Sequence, residues 1–256
     1  MPLSLCPLLA VHGLGYFLFT ASFLAVSFSL ARSLRLLHNP ADAGIRALAA
    51  LLAAWLIFAA GYGLLHKNSL YADLLTSIDH GVEAAYPVYM KSTELSDSLK
   101  QEITATFDTV RQTLPKVLPG LLALWLVTTV WLTMTVGTYL IRKRRPEIMV
   151  WPPYRDWRLP DITVWAVISS GIMLFVPTTG ARLFGLNGLM VCAVLYFFQG
   201  LAVLGTLFNR WRVPPVVRIL INMLTLMQLY GLLFLSVLGL IDVWADFKKP
   251  RGKATM

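Results

Sequence analysis

Four amide side chains lie inside apolar stretches of the C-terminal half. They are Asn187, Gln199, Asn222 and Gln228. A polar group at membrane depth is costly and needs a hydrogen-bonding partner, so it marks a candidate functional residue. Arg218, Asn222 and Thr225 have i, i+4, i+7 spacing, and their shared helix face should point into a bundle because lipid offers no partners. We predict that the four amides bind a small molecule or an ion. The alternative is that they bond one another between helices while Arg218 reaches the interface.

The end of the last apolar stretch carries a second polar group. Asp242 and Asp246 share a helix face, Trp244 lies between them, and Lys248 follows. The two carboxylates could bind a cation, or pair with basic residues of a neighbouring loop or with the lysines after Asp246. No third oxygen ligand is near, so no metal site is expected. We predict a structural group of charge pairs with an interfacial tryptophan, made of Arg218, Asp242, Trp244, Asp246 and Lys248.

Nothing in the sequence indicates catalysis. The four histidines are scattered, and neither a Gly-x-Ser-x-Gly elbow nor a phosphate-binding P-loop occurs. Cys6 and Cys192 lie in apolar surroundings without metal-binding spacing. The chain is therefore expected not to be an enzyme, to need no cofactor and to hydrolyse no nucleotide itself.

The composition indicates a membrane protein. Of 256 residues, 57% are apolar and 14% charged, with a mean hydropathy of +0.67. Soluble domains are about 45–50% apolar and roughly 25% charged. The net charge of +9 comes from Lys and Arg residues that flank apolar stretches, which indicates orientation in a bilayer rather than nucleic-acid binding. The lipid bilayer is therefore the first predicted partner.

Six apolar stretches approach the length that a helix needs to cross about 30 Å of hydrocarbon. They cover residues 8–34, 45–65, 118–141, 162–176, 186–208 and 216–241. The predicted fold is an all-α membrane bundle of about six transmembrane helices. In the second stretch, the pairs Ala49/Ala53 and Ala50/Ala54 have the spacing that brings helix backbones together. The fourth stretch is short and is stopped by Pro177.

Residues 67–117 form a polar segment that holds seven of the 13 acidic residues. Apolar side chains recur at helical spacing on both sides of Pro87, with Ser92 or Thr93 as candidate N-cap of the second part. This predicts an extramembrane amphipathic helical hairpin, either packed on the bundle or forming a mobile lid. The predicted organisation is helices 1 and 2 in residues 1–66, the hairpin in 67–117, helices 3 to 6 in 118–249, and a basic tail in 250–256.

The orientation in the membrane does not follow from this pattern. If six helices alternate in direction, one side carries 12 of the 22 Lys and Arg residues and the other carries ten. The cluster from Arg142 to Arg145 favours a cytoplasmic 142–161 loop and an external hairpin, but the basic tail then lies outside. A re-entrant or missed segment near the fourth helix and residues 178–188 would remove this conflict.

The C-terminal half also resembles a known family. The residues concerned are Leu159-Pro160, Trp165, Asn187, Tyr196 to Ala202, Gly239 to Asp242, Trp244, Asp246, Phe247 and Lys248. In this order, over residues 115–249, they resemble the YybS-like bacterial inner-membrane proteins, a family of unknown function. The family usually has Arg where this chain has Lys248, which keeps the charge but loses bidentate hydrogen bonding. The resemblance implies a fold similar to the substrate-binding (S) components of energy-coupling-factor vitamin transporters, an inner-membrane location, and partner subunits that hydrolyse ATP.

Together these features predict a non-catalytic solute-binding or transport component. Its cavity is expected between the last three helices, lined by the four amides and covered by the 67–117 hairpin. The alternative is a structural or assembly factor that docks other membrane proteins. The environment of the amides separates the two, because a transporter component needs them in a pocket whereas a scaffold should pair them in a dry interface.

Overall fold

Helices account for the regular structure. The computed structural model describes residues 6–66, 69–90, 96–148, 151–152 and 154–247. Within these ranges the chain forms eight α-helices and one 3₁₀ helix, Tyr154–Asp156, and no strand. The α-helices are α1 (Cys6–Arg35), α2 (Pro40–His66), α3 (Leu70–Met90), α4 (Asp97–Arg144), α5 (Thr163–Phe175), α6 (Thr179–Arg210), α7 (Pro215–Met227) and α8 (Leu229–Ala245). The predicted all-α membrane fold is confirmed.

Fewer crossing helices than predicted are found among the described residues. Among the described residues, α2, α4 and α6 are long and apolar enough to cross a membrane, and the pair α7 and α8, bent by 107°, could be a fourth span. Helix α5 has 13 residues and is only about 20 Å long, short of the roughly 30 Å hydrocarbon layer. The six-span count is therefore not confirmed. The continuous sixth helix is wrong, because the backbone of Gln228 is extended (φ −110°, ψ 131°) and ends α7.

Helices α1, α2 and α4 pack around an apolar core in the N-terminal half. It contains Val26, Leu30, Ala43, Ala47, Leu51, Leu126 and Val130. Ala43 and Ala47 are fully buried, and their spacing of four lets neighbouring helices approach α2 closely. The two alanine pairs predicted later in α2 do not form such a contact within the described chain, since Ala49, Ala53 and Ala54 are exposed and Ala50 is only half-buried.

Helices α5 and α8 pack on α6 in the C-terminal half. Ser170 of α5 lies against the α6 backbone at Gly185 and Gly188. Three residues of α8, at positions 236, 239 and 242, face α6 at positions 193, 196 and 199. Both series rise by three, so α6 and α8 run in the same direction.

Helices α4 and α6 join the two halves and also run in the same direction. Gly120 of α4 bonds Asn187 of α6, and eleven residues further along both helices Trp131 contacts Phe198. The basic C-terminal ends of α4 and α6 therefore lie at the same end of the bundle.

Residues 145–162 contact the ends of several helices. We call this end of the bundle the basic end. Trp151 Nε1 donates to the His38 carbonyl (2.8 Å) between α1 and α2, and Arg158 pairs with Asp246 (3.5 Å) at the end of α8. The alternating six-helix scheme, which put the end of the last helix opposite the 142–161 loop, is therefore wrong. The reason is the break at Gln228, because α7 turns back and α8 then runs alongside α6.

Helix α3 and the first part of α4 form the predicted hairpin. Tyr86 packs edge-on against Phe107, with ring centroids 5.7 Å apart. Arg111 binds Asp79 and Glu83 at 3.4 and 3.3 Å. The hairpin follows the C-terminal end of α2 and includes the N-terminal part of α4, at the end of the bundle opposite the basic end, so it is not a cover for anything located there.

Helix α4 is continuous from the hairpin into the membrane-spanning part. The predicted boundary between residues 117 and 118 falls inside it, and the division into segments stays a prediction. Pro119 has no N–H, and the Pro115 carbonyl that it leaves free accepts from the Tyr71 hydroxyl at 3.1 Å. The N-cap is Ser96, which accepts from the Leu99 N–H (3.4 Å). The predicted caps at 92 and 93 lie outside the described residues.

Candidate functional site

Asn187 binds the backbone of α4. Its Nδ2 donates to the Lys116 carbonyl (2.9 Å) and to the Leu183 carbonyl of its own helix (2.7 Å). Its Oδ1 accepts from the Gly120 N–H (2.6 Å). In an uninterrupted α-helix the carbonyl of residue 116 accepts from the N–H of residue 120. The Asn187 amide bonds both of these backbone groups, so it contacts α4 at one step of the hydrogen-bond ladder of that helix. Asn187 joins the two halves of the protein.

Gln199 is fully buried and holds three segments together. Its Oε1 accepts from the Leu159 N–H (3.1 Å), and its Nε2 donates to Asp242 Oδ2 (3.1 Å). The other oxygen of Asp242 accepts from the Phe247 N–H (3.0 Å) just after the end of α8. Both sides of the Gln199 amide are thus engaged by the protein itself.

Two glycines allow α6 and α8 to touch at this level. A Cβ on Gly200 would collide with the Leu235 carbonyl, and a Cβ on Gly239 would collide with the Tyr196 carbonyl. Backbone contact of this kind is the role of small residues between membrane helices. The Phe-Gln-Gly-Leu-Ala and Gly-Leu-Ile-Asp strings of the family resemblance therefore form the α6–α8 crossing.

Arg158 connects residues 145–162 to the end of α8. Its Nη1 lies 3.5 Å from Asp246 Oδ1, and its Nη2 donates to the Val243 carbonyl (3.2 Å) and pairs with Asp161 (3.4 Å). Its Nε is buried and has no hydrogen-bond partner within the described part of the chain. The Nε donor of the guanidinium is thus left over after its structural contacts.

Arg218, Asn222 and Gln228 lie apart from this group. Arg218 caps the end of α6, where its Nε donates to the Val213 carbonyl and its Nη1 to Asn209 Oδ1, both at 2.7 Å. Asn222 is half-buried on α7, and Gln228 is exposed at the α7–α8 break. These residues share no cavity with Gln199.

The structure therefore brings only part of the predicted site together. Gln199, Asp242 and Asp246 meet around residues 158 and 159, whereas Trp244 is 68% exposed. Lys248 and the tail lie outside the described residues.

A cavity of about 1000 Å³ lies between α2, α4, α6 and residues 151–163. On α4 it is bordered by Val127, Val130, Trp131, Met134, Thr135, Thr138, Tyr139 and Arg142. These positions recur every three or four residues, so one face of α4 lines the cavity over about 22 Å. Val191, Leu195 and Phe198 line it from α6. None of the four predicted amides and no residue of the hairpin lines this cavity.

Residues 154–162 line one side of the cavity with irregular backbone. The Tyr154 hydroxyl donates to the Phe198 carbonyl, and the Thr206 hydroxyl donates to the Arg155 carbonyl (3.1 Å). Phe198 is twelve residues before the end of α6, so this segment reaches well inside the bundle. Irregular backbone at membrane depth is tolerated only where protein covers it or where it lines a cavity.

Aromatic rings form the floor of the cavity. Trp131 stacks on Phe198 with centroids 4.1 Å apart, and it meets Tyr154 edge-on at 5.3 Å. The Tyr154 hydroxyl donates a hydrogen bond to the α6 backbone and so fixes the ring at this floor. Broad aromatic surfaces with few polar groups suit a ligand with an apolar body.

Charged side chains border the cavity only towards the basic end. They are Arg142, Asp156, Arg158 and Asp161. Arg142 also donates to the Trp151 carbonyl. Within the described residues, no three His, Cys, Asp or Glu side chains come close enough to hold a metal ion.

The cavity could not be predicted from polar groups at membrane depth, because its lining is mostly apolar and aromatic. Two signals were present. Trp151, Tyr154 and Trp157 are spaced by three in a short basic loop, and Trp131, Thr135 and Thr138 share a face of α4. Interfacial aromatic residues are common in membrane proteins, so neither signal indicates a cavity without knowledge of which helices are neighbours.

The fold is that of a helical membrane protein with an internal cavity. It has membrane-spanning helices, a buried polar contact between α6 and α8, and a cavity beside α4. A family model described as "Predicted membrane protein (DUF2232)" matches residues 3–243, and the chain belongs to this family. No curated protein and no solved structure matches the chain. The predicted membership of an uncharacterised membrane-protein family is confirmed, whereas the similarity to S components stays a prediction.

Proposed function

We propose that this chain is a non-catalytic, solute-binding component of a bacterial inner-membrane transport system, energised by a partner that hydrolyses ATP. The solute occupies the cavity between α2, α4 and α6. The observation that carries the proposal is the cavity, whose volume of about 1000 Å³ is at the upper end of the range for small-molecule sites. Its aromatic and aliphatic lining favours a bulky solute that is largely apolar.

The irregular segment 154–162 supports the same assignment. Membrane transporters place unwound backbone at their binding sites, because only there can its polar groups be satisfied away from lipid. In this protein the irregular segment is fixed to α6 by Tyr154 and Gln199, and it forms one wall of the cavity.

The charge distribution supports a cytoplasmic basic end. Among the described residues, twelve Lys and Arg residues and six acidic residues belong to this end. The described part of the hairpin end has four basic and six acidic residues. Positive charge accumulates on cytoplasmic loops, so the hairpin is external and an ATP-hydrolysing partner would act at the basic end.

A ligand screen with a blocked cavity tests the proposal. The purified protein is heated in detergent with vitamins, nucleobases, metal ions and apolar amphiphiles. A ligand at 100 times its Kd adds about 2.7 kcal/mol to stability, a measurable rise in Tm. Gly44 lines the cavity and has open space at its Cβ position, so the side chain of Gly44→Leu should project into the cavity without a clash, compete with the ligand for space and reduce the ligand-dependent rise.

The matched control is Gly137→Leu. Gly137 also has open space at its Cβ position but does not line the cavity, so this variant should keep the ligand-dependent rise in Tm. A ligand that stabilises the Gly44→Leu variant as much as the unmodified protein would show that binding takes place elsewhere, and the proposal would be wrong.

A structural or assembly factor is the second candidate. It is favoured by the hydrogen bonds that Asn187 and Gln199 each make to other protein groups within helix contacts. It is also favoured by the exposed apolar side chains of α7, of which Val216 is 77% and Met227 82% exposed. This role predicts no stabilising ligand. It also predicts one membrane protein that co-purifies reproducibly and is lost when Val216 and Met227 are changed to serine.

A further inference from the structure

The lining of the cavity changes in polarity along α4. From Val127 to Met134 the lining residues are apolar, from Thr135 to Tyr139 they carry hydroxyl groups, and the last is Arg142. The face extends over about 22 Å, roughly along the direction in which α4 crosses the membrane. A lipid molecule has the same sequence of properties, from chain to polar linkage to head group.

The polar end of the cavity is close to positive charge. Arg142 begins the run Arg142 to Arg145, and Arg158 borders the cavity with a buried Nε that has no partner in the described part of the chain. Asp156 and Asp161 also border it, and Arg158 is paired with both Asp161 and Asp246, so the excess positive charge comes from the cluster that begins with Arg142. The described part of the basic end carries twelve basic and six acidic residues, so its electrostatic field attracts anions.

The two observations together identify the chemical class of the solute. We propose that the cavity binds one anionic lipid of the leaflet at the basic end, with a hydrocarbon chain along residues 127–134 and the acidic head group at Arg142 and Arg158. This inference rests on the proposed function, because it assigns a ligand to the same cavity. It also adds the requirement that the head group be acidic.

Native mass spectrometry in a neutral detergent measures the head-group preference. Phosphatidylglycerol and phosphatidylcholine with identical chains are offered together, and the amount of each lipid retained per protein is compared. We expect the unmodified protein to retain phosphatidylglycerol at least about fivefold better, the ratio that corresponds to roughly 1 kcal/mol per interfacial Lys or Arg. Equal retention of the two lipids would overturn the inference.

Matched variants separate the cavity from the general charge of the surface. Arg142→Gln and Arg144→Gln each remove one charge from the same cluster, but only Arg142 lines the cavity. We expect Arg142→Gln to bring the two lipids to nearly equal retention and Arg144→Gln to keep most of the preference. If both variants lose the preference equally, the lipid is held by the surface field and the inference is wrong.

The Gly44→Leu variant distinguishes failure of this inference from failure of the proposed function. If Gly44→Leu abolishes binding of another solute but retention of both lipids is equal, the cavity is a solute site and only the lipid assignment fails. If Gly44→Leu binds every ligand as the unmodified protein does, both proposals fail. The Tm of each variant without ligand shows whether it has folded.

Discussion

Helix α6 is packed in two contrasting ways on neighbouring faces. Towards α8, Gly200 lies in contact with the backbone of the other helix, and Gln199 is fully buried with both sides of its amide bonded. Towards α2 and α4, Leu195 and Phe198 border a cavity of about 1000 Å³. The first face is closed and polar at its centre, while the second is open and aromatic.

The contrast shows that a polar residue at membrane depth need not mark a binding site. A buried amide whose donors and acceptors are bonded to protein cannot bind a ligand without breaking those bonds, and each bond broken leaves a costly unpaired group. An aromatic lining has few hydrogen-bonding groups, so a ligand can contact it without breaking hydrogen bonds within the protein. Gln199 therefore belongs to the joint, and the surface available to a ligand is on the other side of the helix.

The largest effect is expected from a side chain that forces α6 and α8 apart. Gly200→Leu would place a Cβ against the Leu235 carbonyl, and a backbone carbonyl cannot move aside as a flexible side chain can. We expect the free energy of unfolding to fall by more than about 3 kcal/mol. Size-exclusion chromatography in detergent should then show little or no monodisperse protein.

Gly205→Ala is the control for this substitution. A Cβ on Gly205 would meet Arg155 Cβ at 3.9 Å, an ordinary contact, so the Tm should be unchanged or slightly higher. A Gly200→Leu variant with an unchanged Tm would contradict the close crossing and make the two faces of α6 alike.

The next effect concerns the polar centre of the joint. Gln199→Leu keeps the volume but removes the acceptor of the Leu159 N–H and a donor to Asp242. We expect a loss of about 2–4 kcal/mol, measured as a lower Tm without ligand. Gln228→Leu is the matched control, because Gln228 is an exposed amide at the α7–α8 break and its loss should change stability by less than about 0.5 kcal/mol.

Much of the fold followed from hydropathy alone. The lengths of α2, α4 and α6 and the presence of the hairpin follow from the spacing of apolar residues, which depends only on nearby sequence. The break at Gln228 did not follow, because residues 216–241 are mostly apolar and contain no proline. It depends on the packing of α8 along α6, which residues far apart in sequence determine.

The candidate site was less predictable than the fold. The sequence singles out Asn187, Gln199 and Asp242 as residues that need partners, and all three bond protein groups, yet hydropathy does not show whether the partner is protein or ligand. Arg158 was counted only as a loop charge, although it connects that loop to α8. A cavity depends on which helix faces remain apart, and no local pattern records this.

The smallest of these effects is expected at the α4–α6 junction. Asn187→Ala removes the groups that bond the Gly120 N–H and the Lys116 carbonyl, but those two groups can then bond each other within α4. Because this backbone hydrogen bond replaces the lost ones, we expect the free energy of unfolding to fall by only about 1 kcal/mol, or the Tm by roughly 2–4 °C. Asn187→Asp keeps the acceptor and loses both donors, so it separates the two bonds. If Asn187→Ala instead lowers the Tm as much as Gln199→Leu, the ladder of α4 does not close, and the junction is a second fixed joint of the same kind as the α6–α8 crossing.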